Sequence, residues 1–168
     1  MRTILESLEI IVAQLNELGV RYLIAGGLAV NAHGYSRATH DIDLVLQLSS
    51  SNTGKALQAF SDLGFTPLVP VPLMQFADDQ QRAQWIKDKG LTVFSIVSPE
   101  HPMATVDLFV EEPFDFEQAY ERAMLADIAP GLAARFVDAQ TLIQMKQQAG
   151  RPRDLDDIEH LRILARKS

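Results

Sequence analysis

Asp41 and Asp43 stand two residues apart at the head of an apolar run, Asp41-Ile42-Asp43-Leu44-Val45-Leu46. In a strand, alternate residues emerge on one face, so these two carboxylates lie roughly 6 to 7 Å apart along the chain. Carboxylates held that close repel one another unless a cation sits between them. Hard divalent cations take oxygen ligands, and magnesium in particular accepts one or two carboxylates plus substrate phosphates while keeping water. A third carboxylate, Asp107, stands alone in the β-rich run Thr105-Val106-Asp107-Leu108-Phe109-Val110. An unpaired aspartate buried in a strand is costly. If this run lies beside the first, three carboxylates converge, which suits a pair of metal ions roughly 3.5 to 4 Å apart.

A second half-site precedes the aspartates. The apolar run Tyr22-Leu23-Ile24-Ala25 breaks at Gly26-Gly27. Glycine lets backbone N–H groups approach a phosphate with no side chain in the way, and a helix starting there adds a favourable dipole. Other glycine readings fail. No third glycine completes a Gly-x-Gly-x-x-Gly dinucleotide fingerprint, and Gly54-Lys55 lacks both the upstream glycine and the following hydroxyl of a P-loop. His40-Asp41 lacks the further histidines at helical spacing that a His-Asp metal phosphohydrolase needs, because His33, His101 and His160 do not supply them.

The elements that must position these residues follow from hydrophobic period and punctuation. Apolar positions Ile4, Leu8, Ile11, Val12, Leu15 and Leu18 repeat near 3.6 residues and stop at Gly19, which predicts an amphipathic helix. A strand over 20–25, a helix from the glycine pair to His33, a loop over 34–40 and a strand over 41–48 follow. Ser49 to Thr53 supply capping residues for a helix ending at Gly64. Residues 65–74 hold three prolines and read as an edge strand or extended loop, with a short helix over 78–87. Runs 91–97 and 105–110, joined through Ser98-Pro99-Glu100-His101-Pro102, predict an antiparallel pair and hence a mixed sheet. A helix over 116–125, a short hairpin over 128–137 turning at Pro130-Gly131, a helix over 139–149 capped by Asp138, and a last helix over 154–165 with Pro152 in its first turn complete the chain.

Composition bounds the function classes. At 168 residues and 47% hydrophobic, the chain supports one globular unit. It has no cysteine, which excludes disulfides, thiolate metal ligands and cysteine nucleophiles. No apolar stretch approaches the ~20 residues that span a bilayer, so a soluble cytoplasmic protein without a membrane partner is the expectation. Net charge is −7, from 22 acidic against 15 basic residues, which argues against a surface given over wholly to nucleic acid. The basic residues Lys146, Arg151, Arg153, Arg162, Arg166 and Lys167 nevertheless gather at the carboxy-terminal end, where they make either a local anion patch or a solvated helix face.

Gly26-Gly27 followed by Arg37, Thr39 and Asp41-Ile42-Asp43 resembles the nucleotidyltransferase fold of the DNA polymerase beta superfamily. Within it, the chain is similar to small bacterial abortive-infection nucleotidyltransferase toxins and antibiotic nucleotidyltransferases. Leu142-Ile143-Gln144-Met145-Lys146 and Gly150-Arg151-Pro152-Arg153-Asp154-Leu155-Asp156-Asp157-Ile158 resemble that group's carboxy-terminal Lys and Arg/Asp motif. The resemblance implies an α/β (α+β) fold: a mixed sheet flanked by helices, with residues 1–137 as catalytic core and 138–168 as a helical extension packed on it within one domain. It implies Mg2+ at Asp41, Asp43 and Asp107, which are also the catalytic residues, and an NTP, most simply ATP, bound by Gly26, Gly27, Arg37, Thr39, Lys146 and Asp154. The activity implied is transfer of a nucleoside monophosphate to an acceptor hydroxyl with release of pyrophosphate. The acceptor is left open among RNA, protein and small molecules, as are a partner protein and a homodimer. The alternative is a non-catalytic nucleotide- or protein-binding member of the fold, such as one component of a toxin-antitoxin pair. The chain departs from many superfamily members in carrying Gly27 where they have serine, which removes one hydroxyl and leaves the backbone donors.

Overall fold

The structure, a computed structural model, describes residues 1–167. Its centre is a seven-stranded mixed sheet: β1 (Tyr22–Ala25), β2 (Asp41–Leu46), β3 (Thr66–Pro67), β4 (Val93–Val97), β5 (Thr105–Phe109), β6 (Met124–Ala129) and β7 (Leu132–Phe136), in the order β3-β4-β5-β2-β1-β7-β6. Around it run α1 (Ile4–Glu17), α2 (Gly26–Ala32), α3 (Ser50–Asp62), α4 (Asp79–Lys89), α5 (Phe116–Arg122), α6 (Ala139–Ala149) and α7 (Pro152–Lys167). The expected mixed sheet flanked by helices is what forms.

β1 is buried at every position and sits between β2 and β7, as its uniformly apolar sequence requires. The edge β1–β2 is antiparallel, whereas β2–β5 is parallel and places Asp43 opposite Asp107. β4 returns antiparallel to β5, with Ser95 opposite Asp107 and Val93 opposite Phe109. Along β4 and β5 every second residue is buried (Phe94, Ile96, Val106, Leu108) and packs into the main core with Phe60, Phe76 and Trp85. Trp85 of α4 stacks on Phe94 at 5.1 Å, so α4 covers that face of the sheet. The intervening residues are half-buried, and they include both strand aspartates of β2 and Asp107.

Helix boundaries follow their capping chemistry. Ser49, Asp78, Asp115 and Asp138 accept hydrogen bonds from first-turn N–H groups of α3, α4, α5 and α6, each satisfying a donor that the helix itself leaves unpaired. Gly90 and Gly150 end α4 and α6 in the left-handed conformation that glycine adopts without penalty. The proline-rich stretch gives only the two-residue edge strand β3 and a 3-10 turn at Leu73–Ala77. One boundary differs from expectation. α5 stops at Arg122, and Met124–Ala129, expected in part as helix, is instead a strand paired antiparallel with β7 across the Pro130-Gly131 turn. Met, Leu and Ala favour helix locally, but antiparallel pairing with β7, continuous from Met124 to Asp127 and shifted in register between Asp127 and Ala129, overrides that preference. Among the described residues no helix is long and apolar enough to cross a membrane.

Candidate functional site

The candidate site lies where β1 ends against β2. The last pair of that ladder is Ala25 with Asp43, so Gly26 leaves the strand directly beside the Asp43 carboxylate. Gly26 has φ +63°, and a Cβ built on it would fall within 1.9 Å of Asp43 Oδ2. Two independent constraints therefore demand glycine here: the left-handed backbone and the carboxylate pressed against it. Asp41, one alternation earlier, projects past the end of β1 with β5 as its remaining neighbour, opposite Thr105.

The three aspartates are electrostatically coupled. Burial, reinforced by the charges of Asp107 and Asp41, pushes the Asp43 carboxyl up to about 6, although Lys146 and Arg151 pull the other way. Burial also raises Asp107, against a hydrogen bond from Ser95 Oγ to its Oδ1 at 2.6 Å, with Asp41 adding to the rise. Asp43 and Asp107, whose carboxyls resist ionisation, are short of positive charge. An oxygen-only donor set of this kind suits a hard divalent cation, and magnesium needs only one or two of the carboxylates when phosphate and water complete its shell. Among the described residues, no group of three His, Cys, Asp or Glu side chains is placed so that together it could hold a metal ion.

Gly27 explains the departure from glycine-serine. A Cβ there would lie 2.7 Å from Thr39 Oγ1, 2.9 Å from Thr39 Cβ and 3.2 Å from a terminal nitrogen of Arg37. The volume a serine side chain would need is already filled by the threonine and the arginine.

Arg37 leads into a buried ion network. Its Nε and one terminal nitrogen donate to both carboxylate oxygens of Asp157 at 2.8 and 2.9 Å, and its other terminal nitrogen donates to the Ala38 carbonyl. Lys146 Nζ donates to Asp157 Oδ2 at 2.9 Å and lies 3.5 Å from Asp154 Oδ1. Arg151 clasps Asp154 through its Nε and backbone N–H. Burial would raise both aspartates, but the hydrogen bonds from Arg151 on Asp154 and from Arg37 and Lys146 on Asp157 outweigh it and hold both below the ordinary carboxylate range. Three cations on two buried anions leave this network with one surplus positive charge, close enough to Asp43 to act on it.

Asp41, Asp43, Asp107, Gly26, Gly27, Thr39 and Arg37 are thus brought to one corner, and Lys146 reaches it through Asp157. Asp154 is 1% exposed and its carboxylate is committed to Arg151 and Lys146, so it holds cations in place instead of facing the open corner. Arg151 and Asp157 stand in the carboxy-terminal motif read from sequence but were not among the expected site residues. The signal was there in the spacing Lys146…Asp157, but which carboxylate meets which cation depends on how α6 crosses α7.

No protein-family model matches the chain, and neither does any curated protein. Solved structures do. The lincosamide antibiotic adenylyltransferase LnuA, with lincomycin bound, aligns over 98% of this chain and 99% of its own at 13% identity and a TM-score of 0.60. The antibiotic-resistance factor ANT(2'')-Ia aligns over 97% of this chain and 83% of its own at 17% identity, TM-score 0.58. An antigenic nucleotidyltransferase-like protein from Paracoccidioides brasiliensis aligns over 94% of this chain and 74% of its own at 19% identity, TM-score 0.54. At such identities the likeness is one of architecture, and with the strand order and aspartate register above it means that this chain has the nucleotidyltransferase fold.

Proposed function

We propose that the chain is a magnesium-dependent nucleotidyltransferase that moves a nucleoside monophosphate from an NTP to an acceptor hydroxyl. The observation that carries this is the register placing Asp43 opposite Asp107, with Asp41 on the same face and Gly26 packed against Asp43. In the reaction the acceptor oxygen loses its proton and forms a bond to the α-phosphorus. The bond from that phosphorus to the bridging oxygen breaks, and pyrophosphate leaves. Such chemistry asks the protein mainly to position reactants and neutralise charge.

Asp41, Asp43 and Asp107 would hold the magnesium, which when bound supplies charge neutralisation on the phosphoryl oxygens and acidifies the acceptor hydroxyl. Asp107, held by Ser95, faces the acceptor side and orients the hydroxyl or takes its proton. The backbone N–H groups at Gly26-Gly27, the Thr39 hydroxyl and the Arg37 nitrogen near Gly27 are the donors available to the triphosphate. Lys146 and Arg151 supply positive potential from beneath, set by Asp154 and Asp157. The phosphate-position label distinguishes this reaction from hydrolysis: with magnesium and cell extract, α-labelled NTP leaves its label on a macromolecule or metabolite while β- and γ-label appear as pyrophosphate. Release of γ-label as inorganic phosphate with no α-label transferred defeats the proposal.

A further inference from the structure

The outward face of α7 is uncovered among the described residues, and its charges are sorted along it. At 3.6 residues per turn, Leu155, Asp156, Glu159, Arg162, Ile163 and Arg166 all lie within about 60° of Glu159 around the helix axis. All six are exposed, Leu155 at 60% and Ile163 at 40%. The opposite side of the helix carries the buried Asp154, Asp157, Ile158 and Leu161, which face the core and the cation network. Of the six, only Asp156 has a side-chain partner: it accepts a hydrogen bond from the Tyr35 hydroxyl at 2.7 Å and lies 3.6 Å from His160 Nδ1.

The sign of charge changes at the middle of this face. Asp156 and Glu159 make its amino-terminal half acidic, and Arg162 and Arg166 make its carboxy-terminal half basic. Each half sets like charges three or four residues apart, which one helix alone does not relieve. A second copy of the helix laid antiparallel relieves both halves. With a two-fold axis at Glu159, Arg162 stands opposite Asp156 of the second copy and Leu155 opposite its Ile163, and each contact occurs twice. The two Glu159 side chains meet at the axis, where each has Arg162 of the other copy one turn away. A parallel pair would set acid on acid and base on base. The 16-residue helix makes a strip about 24 Å long and about 10 Å wide, or about 240 Å². That is well below the ~800 Å² per partner of a standard interface, so such a pair forms and dissociates with concentration.

We propose that α7 is a self-association element that packs antiparallel on α7 of a second copy of this chain, Arg162 of each meeting Asp156 of the other and Leu155 of each packing on Ile163 of the other. The inner side of the same helix holds Lys146 and Arg37 through Asp154 and Asp157. One helix thus joins two copies by its outer face and organises the cations of each candidate site by its inner one. The pairing rests on the surface of α7 and is independent of the transfer reaction.

The chain contains no cysteine, so single introduced cysteines report the register without background. Helix axes about 8 to 10 Å apart, with Cα atoms at a radius of about 2.3 Å, put facing Cα atoms about 3.4 to 5.4 Å apart. That range overlaps the ~4.4 to 6.8 Å a disulfide spans. With oxidised glutathione, Glu159→Cys is expected to cross-link to its own copy. Leu155→Cys and Ile163→Cys each lie about 12 Å along the axis from their own counterparts and are expected to cross-link only when the two variants are mixed. Sedimentation of the unaltered chain between about 1 μM and about 1 mM should show a monomer–dimer equilibrium. Arg162→Glu, facing Asp156 and Glu159 of the other copy, should weaken association at least about tenfold with the melting temperature unchanged. A chain that stays monomeric up to about 1 mM overturns the proposal, including one that sediments instead with a different protein. So does a dimer that Arg162→Glu leaves intact, or a disulfide formed by Leu155→Cys alone. If Arg162→Glu fails to fold, the mixed-cysteine pattern decides by itself.

Discussion

Asp43→Asn should make the metal-free protein more stable at alkaline pH, a counterintuitive result for a buried site residue. In the folded chain the Asp43 carboxyl is pushed from an ordinary 3.8 to about 6 by burial first and by the charges of Asp107 and Asp41 second. A rise of about two pH units corresponds to about 3 kcal/mol against the ionised folded state, at about 1.36 kcal/mol per unit. Because the carboxylate is not fully buried, solvent screens part of this and about 1 to 2 kcal/mol is expected. No hydrogen bond to the Asp43 side chain is lost when asparagine replaces it, and the shape is retained. The sign follows from proton counting: with the folded value above the unfolded one, the folded state binds more protons between about pH 4 and 6. The wild type therefore carries the full penalty above pH 6 and sheds it as pH falls through that window. Urea denaturation with a chelator present should show Asp43→Asn ahead of wild type at pH 8, with the gap closing near pH 4. Magnesium should stabilise the wild type more than the variant, by mass action on the folded state. A variant less stable than wild type at pH 8, or a gap independent of pH, would refute the picture of mutually repelling carboxylates.

Other substitutions probe the surroundings. Gly26→Ala adds a methyl into Asp43 Oδ2 at a left-handed backbone position; the backbone alone costs about 1 to 2 kcal/mol, and chemical denaturation should show at least that loss together with loss of transfer. Gly27→Ser drives its Cβ into Thr39 and should destabilise by about 1 to 3 kcal/mol through overpacking, whereas the added cost should largely vanish in Gly27→Ser on a Thr39→Gly background; additive costs in that cycle would show that the two residues do not contend for one volume. Asp157→Asn removes the acceptor charge shared by Arg37 and Lys146 and should cost about 3 to 5 kcal/mol, as breaking a buried ion pair from one side does. If its melting curve matches wild type, the network does not anchor α7 to the loop before β2.

How much of this was legible in the residues varies with the range of the interactions that decide it. The alternation of β2 and the glycine break after β1 are local, so Asp41, Asp43 and Gly26 could be placed from spacing alone, and the caps Asp138 and Ser49 likewise. Asp107 was recognisable as an aspartate out of place in a strand, but its pairing with Asp43 depends on a parallel crossover from Leu46 to Thr105 that no local pattern encodes. The strand β6 was missed in part because Met124 to Ala126 favour helix until β7 is there to pair with them. The roles of Arg151 and Asp157 were illegible for a similar reason. In sequence they are members of a mixed charge run near a helix start, where acidic residues are favoured by the dipole alone, and only the packing of α6 on α7 beneath the loop at Arg37 makes Asp157 the common partner of two cations. Gly27 reversed its meaning: the missing serine hydroxyl read as a loss, while in the fold Thr39 occupies that space.

The central claim is that the aspartate face between β2 and β5 transfers a nucleotide. Single-turnover transfer from α-labelled NTP in saturating magnesium, comparing wild type with Asp43→Asn, tests it most directly. The expected result is label transfer by the wild type and a loss of at least about 10³-fold in the variant, which keeps its fold by circular dichroism; that loss is on the scale of removing one strong electrostatic contribution to a transition state. Equal single-turnover rates for the two proteins would contradict it.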